Sequence, residues 1–523
     1  MGLIAHRKMA MLALAWGLCL GIVGAGSAAG TPPKTGGTLT VGLYTDTPIP
    51  DPHKAIALTT HMALHHVCEN LVTVDDDYKI IPQLAEKWVE EDGGKAYLFT
   101  LRRGVKYHDG REMQAEDVKY SLERSKAVSP SRTDYANIER ADVVDPLTAR
   151  IVLRQPSPVF LTVLAGPFGG YIIPKDLDKQ QGGDITKPVC TGPFEWSEWR
   201  PGQLLRLKKF AGYTPDGRYK GPTGLGGKRT AMLDEIQFRV VPDRSARVTA
   251  LQTAEVDFSP RLDVAHFEQL AKEKGIVAEE TPILSWQMIW LGVTVAPTND
   301  RKFRQAIAAA IDYEEIVQVA LDRHAMVNPA FMHPTQKQWR TEKTGRLHAQ
   351  NPELAKKLLA ESAYKGETIE IYSASEEEYM ANTALALQQQ LSKVGIKIEV
   401  RYMDSGGLAA RTYATKPAYQ INIESGSGRY DPDQAYYRRL HRSTAVNKYN
   451  NPEYDRIVEA ARVEMDHEKR LALYDEAQQV IMDDVPSILL YNLSSFDAHR
   501  DYVKGIKQTA MGILQFWDVW LDK

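Results

Sequence analysis

Cysteine is scarce, with three residues in 523. A disulfide framework of the kind that holds small secreted domains together is therefore excluded as the organising principle of the fold. Long apolar runs are missing after the first thirty or so positions, so no membrane-spanning segment is expected in the body of the chain. Neither sign of charge dominates: 64 basic residues face 67 acidic ones for a formal net charge of −3, which gives no footprint for nucleic acid. Catalytic signatures are also lacking. No HExxH zinc motif occurs, and GLGGKR departs from a phosphate loop because Pro222 stands where the first glycine belongs and Arg229 where serine or threonine is needed. Around Ser427 the stretch ESGSGRY has Ser425 where a nucleophile elbow requires glycine. Neither repeats nor low-complexity tracts are visible.

What is present is the composition of a globular protein, 43% hydrophobic and 25% charged. At 523 residues the chain is too long for one core, and at roughly 150 residues per domain it should hold about three. Its start has the pattern of a secretory leader: His6, Arg7 and Lys8, an apolar run from Met9 to Val23, then Ser27 and Ala29 as the small residues before a cleavage site. Residues 1–29 are expected to be removed, leaving a periplasmic, monomeric protein. Leu18 before Cys19 is wrong for a lipid-anchor signal. Cys68 and Cys190 then remain, either bridged or as two buried thiols; the sequence alone leaves both open.

Periodicity predicts strands at Thr38 to Tyr44, Tyr97 to Leu101, Arg150 to Leu153 and Glu235 to Val241, with helices from Thr59 to Leu71 and Glu116 to Lys126. From Phe303 onward helices and strands alternate, RQAIAAAIDYEEIVQVAL, IEIYS, TALALQQQLSKVG and IKIEVRYM, and the last three form a βαβ unit with Gly395 just past its helix. Pro452 to Asp483 is helical, and VPSILLYN is an apolar strand that leads back to the first lobe.

The blocks PQLAEKW, FTLRRGVKYHDGREMQAEDVKYSLER, VCTGPFEWSEW, LQTAEVDF, DRKFRQAIAAAID, NPELAKKLLAESAY and YNNPEYDRIVEAA occur in an order that resembles the bacterial extracellular solute-binding proteins of family 5. The resemblance implies an α/β fold of the type II periplasmic binding protein class, two lobes with an extra α+β subdomain in the first. Lobe I would comprise residues 30–66, 191–291 and 493–523, the extra subdomain 67–190, and lobe II 292–492. It also implies a receptor that captures a small solute between its lobes and hands it to a membrane-embedded ABC permease. Nucleic acid is not an expected partner, and neither a catalytic residue, a cofactor nor a metal is expected. His61 and His65 share a helix face, but without an identified third ligand a polar helix face is the simpler reading.

Expected ligand contacts are Tyr44, His61, Trp286, Trp290, Glu424, Arg429 and Tyr430. The segment SGSGRYDPDQAYY is the most informative. In peptide-binding members of the family an aspartate four residues before its proline pairs with the peptide's α-amino group, and here that position is Gly428. Glu424 is a candidate replacement. Arg429 offers a guanidinium for a carboxylate or phosphate, or else caps a turn, and Tyr430 matches a ligand-lining tyrosine of the nickel-receptor branch. The expected ligand is therefore a non-standard or non-peptide solute. The alternatives are a di- or oligopeptide and, in a different class, a secreted hydrolase.

Overall fold

The computed structural model is described over residues 32–166, 170–345 and 348–523, so the expected leader lies outside the described residues. The strand Thr38–Leu43 alternates half-buried and buried positions before becoming fully buried. It pairs in parallel with Glu235–Val240 and, through Val41, with Phe258–Ser259. These belong to one long path of strands. In order it runs Ile398–Met403, Ile369–Ala374, Ile421–Ser427, Ser285–Leu291, Ser487–Arg500, Phe258–Ser259, Thr38–Leu43, Glu235–Val240, Leu204–Lys209 and Phe194–Arg200.

The strand Ser487–Arg500 joins the two halves. Its first residues pair with Ser285–Leu291 and its last with Ile276–Pro282 and Phe258–Ser259. One continuous strand therefore carries the chain from the second lobe into the first. Between Gln287 and Met288 the register shifts against it, a bulge at the point where the two halves meet.

In the second lobe Ile369–Ala374 and Ile398–Met403 run parallel in the register Ile369↔Ile398, with the helix Glu378–Lys393 between them and Gly395 at φ +97° beyond its end. The βαβ expectation therefore holds. Two expected helices are each divided. Arg301–Ala310 stops before Asp312, whose side chain accepts the backbone N–H of Glu315 and starts Tyr313–Leu321 afresh. Asp466 likewise separates Pro452–Ala461 from His467–Asp484 by capping Lys469. Apolar spacing continues through both breaks, so periodicity alone does not register them.

The first lobe carries a second, four-stranded antiparallel sheet, ordered Ala85–Glu91, Ala96–Leu101, Thr148–Leu153 and Ile138–Asp145, against which the helix Ala115–Val128 packs. It has its own apolar core around Phe99, Val118, Leu122 and Ile151. The helix Leu58–Val67 is shorter than its apolar pattern because Cys68 turns to extended backbone, and Cys68 is bridged to Cys190 across a sequence separation of 122 residues. The question the sequence left open is thus resolved in favour of a disulfide. All four strands of that sheet lie between the bridged residues.

Candidate functional site

The site is built on the strand Ile421–Ser427, which pairs antiparallel with Ser285–Leu291 so that Trp286 faces Gly426, Met288 faces Glu424 and Trp290 faces Asn422. Glycine is required at 426, where a Cβ would stand 2.1 Å from Nε1 of Trp286. It is required again at 428, where a Cβ would stand 2.7 Å from both the backbone and the side chain of Leu284. The missing aspartate at 428 therefore reflects a close approach of two chain segments. No side chain fits there unless Leu284 moves.

After Gly428 the loop is held by a buried ion pair. Arg470, on the helix His467–Asp484, donates from Nη1 and Nη2 to the two oxygens of Asp431 at 2.7 and 2.6 Å. Asp431 also accepts the backbone N–H of Asp433, starting the turn that leads into Tyr436–Leu440. This short helix delivers Arg438 and Arg439. The Nη1 of Arg439 donates to Oε1 of Glu424 at 2.7 Å and to the Tyr413 hydroxyl at 2.7 Å, and its guanidinium lies 5.5 Å from the ring centre of Trp286. Glu424 also accepts from Tyr413 and from Nε1 of Trp290. With three donors on its two oxygens, Glu424 is committed to orienting Arg439.

These groups border a cavity of about 920 Å³ between the second lobe and the subdomain of the first. Tyr413, Arg429, Asp433, Arg438, Arg439 and Arg462 line one side, and Asp134, Asn137, Arg154 and Gln155 the other. Five arginines thus face two carboxylates, Asp134 and Asp433. Arg462 pairs with Asp433 at 3.0 Å and stacks on Tyr437 at 3.8 Å. Arg429 donates from Nη1 to the carbonyls of Ser427 and Gly428, so it does brace its own turn while lining the cavity. Burial, reinforced by the like charges of Arg439 and Arg438, pulls its guanidinium down to about 10. It stays cationic at neutral pH, in a cluster whose self-repulsion an anion would relieve. Burial raises the Asp433 carboxyl to about 6 against the opposing pull of Arg462.

Of the seven expected contacts, Arg429 alone lines this cavity. Trp286, Trp290 and Glu424 lie behind it and are buried: Trp286 and Glu424 contact Arg439, and Trp290 donates to Glu424. Tyr430 is buried against Tyr78 at 6.0 Å and faces a smaller cavity of about 210 Å³. Tyr44 is elsewhere, accepting from Arg261 at 3.2 Å. His61 is fully buried, with Nε2 on the Ala55 carbonyl at 3.1 Å, and desolvation lowers it to about 4. Its helix faces the core of the first lobe, which is why a histidine of suitable chemistry does not reach the cavity. Arg438, Arg439 and Arg462 were missed by sequence reasoning, although the basic pair in YYRRL stands directly after the loop that drew attention. Asp134 and Arg154 carry no such signal, being nearly 300 residues away in sequence.

A mixed sheet shared by two lobes, with a strand crossing between them and a polar cavity where they face each other, defines a two-lobed binding protein of the type II periplasmic class. The chain belongs to the bacterial extracellular solute-binding proteins, family 5, whose sequence profile matches residues 79–448. It is 30% identical over 478 residues to the glutathione-binding protein GsiB of Salmonella choleraesuis (strain SC-B67), covering 87% of this chain and 89% of that one. Its structure resembles the ABC transporter-associated periplasmic binding protein DppA of Helicobacter pylori in complex with the peptide STSA, at 25% identity and TM-score 0.77, over 94% of this chain and 99% of that chain. It also resembles the ABC transporter substrate-binding protein CtaP of Listeria monocytogenes, at 24% identity and TM-score 0.82, over 94% of this chain and all of the other. The protein is accordingly a substrate-binding component of ABC transport and not an enzyme, and its class works with a membrane permease. No helix among the described residues is long and apolar enough to cross a membrane.

Proposed function

We propose that this chain is the periplasmic, monomeric receptor of an ABC importer for a small solute carrying carboxylates, of which a γ-linked peptide such as glutathione is the best representative. The carrying observation is the excess of arginine over carboxylate around the 920 Å³ cavity. Guanidinium groups in such a setting grip carboxylates with directional, charge-assisted bonds. The glutathione-binding relatives at 30% identity support the same chemistry. An ordinary peptide held by its α-amino group fits less well. Position 428 has no room for a carboxylate, Glu424 is saturated by donors, and Asp433 is paired with Arg462. Lobe bounds of 30–66, 191–291 and 493–523 for the first lobe and 292–492 for the second, with 67–190 as the inserted subdomain, belong to this proposal, as does removal of residues 1–29.

Thermal shift of the processed protein against a panel tests it. Glutathione and other small dicarboxylates should raise Tm, and neutral di- and tripeptides should not. Stabilisation by neutral peptides that depends on their free α-amino group would restore the ordinary peptide receptor.

A further inference from the structure

The arginines that the second lobe places around the cavity differ in where their counter-charge comes from. Arg439 has Glu424, Arg462 has Asp433, and Arg429 has the carbonyls of Ser427 and Gly428, all within the same lobe. Arg438 instead reaches across the cleft, its Nη1 standing 3.6 Å from Oδ2 of Asp134 on the short helix Arg132–Tyr135 of the first lobe's subdomain. Among the described residues Asp134 is the one carboxylate that this subdomain contributes to the cavity lining. Its neighbour Tyr135 is buried, which fixes the turn that presents it. Separating the lobes would leave Arg438 beside Arg439 and Arg429 with its counter-ion withdrawn, an increase in like-charge repulsion.

We infer that Asp134 is a tethered counter-ion: it holds the lobes together over the arginine cluster by standing where a ligand carboxylate would, and an anionic ligand must displace it. A contact that favours closure before the ligand arrives lowers the population able to admit it, and so slows capture. Asp134 is then a determinant of selectivity. A ligand with a carboxylate can take over its role in neutralising Arg438, whereas a neutral ligand cannot. The displacement half rests on the proposed anionic ligand; the closure half does not.

Small-angle scattering of the ligand-free processed protein tests closure. Asp134→Asn and Arg438→Gln should each increase the radius of gyration, the double variant should add nothing further, and 0.5 M salt, taken as roughly the ionic strength that shortens the Debye length below 5 Å, should open the parent but not the variants. Unchanged radii in both single variants would overturn the inference. Stopped-flow binding with glutathione as probe tests displacement: Asp134→Asn should raise the association rate about three- to tenfold and tighten binding. Weaker binding by Asp134→Asn would show that Asp134 holds the ligand and would equally overturn it. If glutathione fails to bind the parent, the proposed ligand falls, and the scattering still decides closure on its own.

Discussion

Arg429 shows how one side chain carries both local structure and recognition. Its Nη1 is occupied by two carbonyls of its own turn, so the rest of the guanidinium is held in a fixed direction beside the cavity. Truncating such a pre-oriented charge removes the ligand contact along with the brace. Arg429→Ala should weaken glutathione by about 2–5 kcal/mol, the usual range for breaking a buried charged pair, and Arg429→Lys should recover little because lysine has no fork to brace and bind together. Calorimetry of the three proteins checks this. Asp433 adds a pH dependence. Its folded pKa of about 6 lies above the ordinary aspartate value of 3.8. Its contribution to stability is therefore fully present below about pH 4 and lost as pH rises through 6. The groups around it are Arg462, Asp431, Arg470 and Asp134. Neutral Asp433 repels an anion less, so glutathione affinity should fall by at least about threefold from pH 5 to pH 7.5 in the parent and stay flat in Asp433→Asn, as followed by titration in matched ionic strength. These residues were unequally legible. Arg429 stood inside a loop whose composition drew attention, whereas Arg439 becomes meaningful only once Glu424, Tyr413 and Trp290 are seen to hold it.

Elements were more legible than contacts, for a physical reason. Strand and helix periodicity is a local property, and the βαβ unit around Glu378–Lys393 follows from apolar spacing plus one glycine. What escaped was punctuation by single caps, Asp312 and Asp466, and the early stop at Cys68. The disulfide from Cys68 to Cys190 closes a loop containing nearly the whole four-stranded subdomain. Both cysteines are fully buried. Cross-linking residues this far apart restricts the unfolded chain most strongly, so Cys68→Ala with Cys190→Ala should cost about 2–5 kcal/mol. Chemical denaturation should show a lower midpoint for the double variant, and the parent should move to the same value under reductant. Coincident midpoints for oxidised parent and variant would mean that the insertion is anchored by packing alone.

At the scale of the whole molecule, the class was readable from the order of family blocks along the chain, while the ligand was not. A cavity wall made of Asp134 and Arg154 on one side and Arg429 to Arg462 on the other exists only after two distant stretches are folded against each other. The crossing strand Ser487–Arg500 and its bulged partner Ser285–Leu291 provide the connection about which the lobes would close, and the arginines supply the charge that a solute must match. Ligand affinity is set by that match. Isothermal titration of glutathione and of its diethyl ester into the processed protein measures it directly, because the two ligands share shape and thiol but differ in both carboxylates. Micromolar or tighter binding of the acid, with the diester weakened at least about a hundredfold as expected when charge-assisted contacts of about 2.7 kcal/mol or more are lost, is the predicted result. Equal affinity for acid and diester, or no binding of the acid, would contradict it.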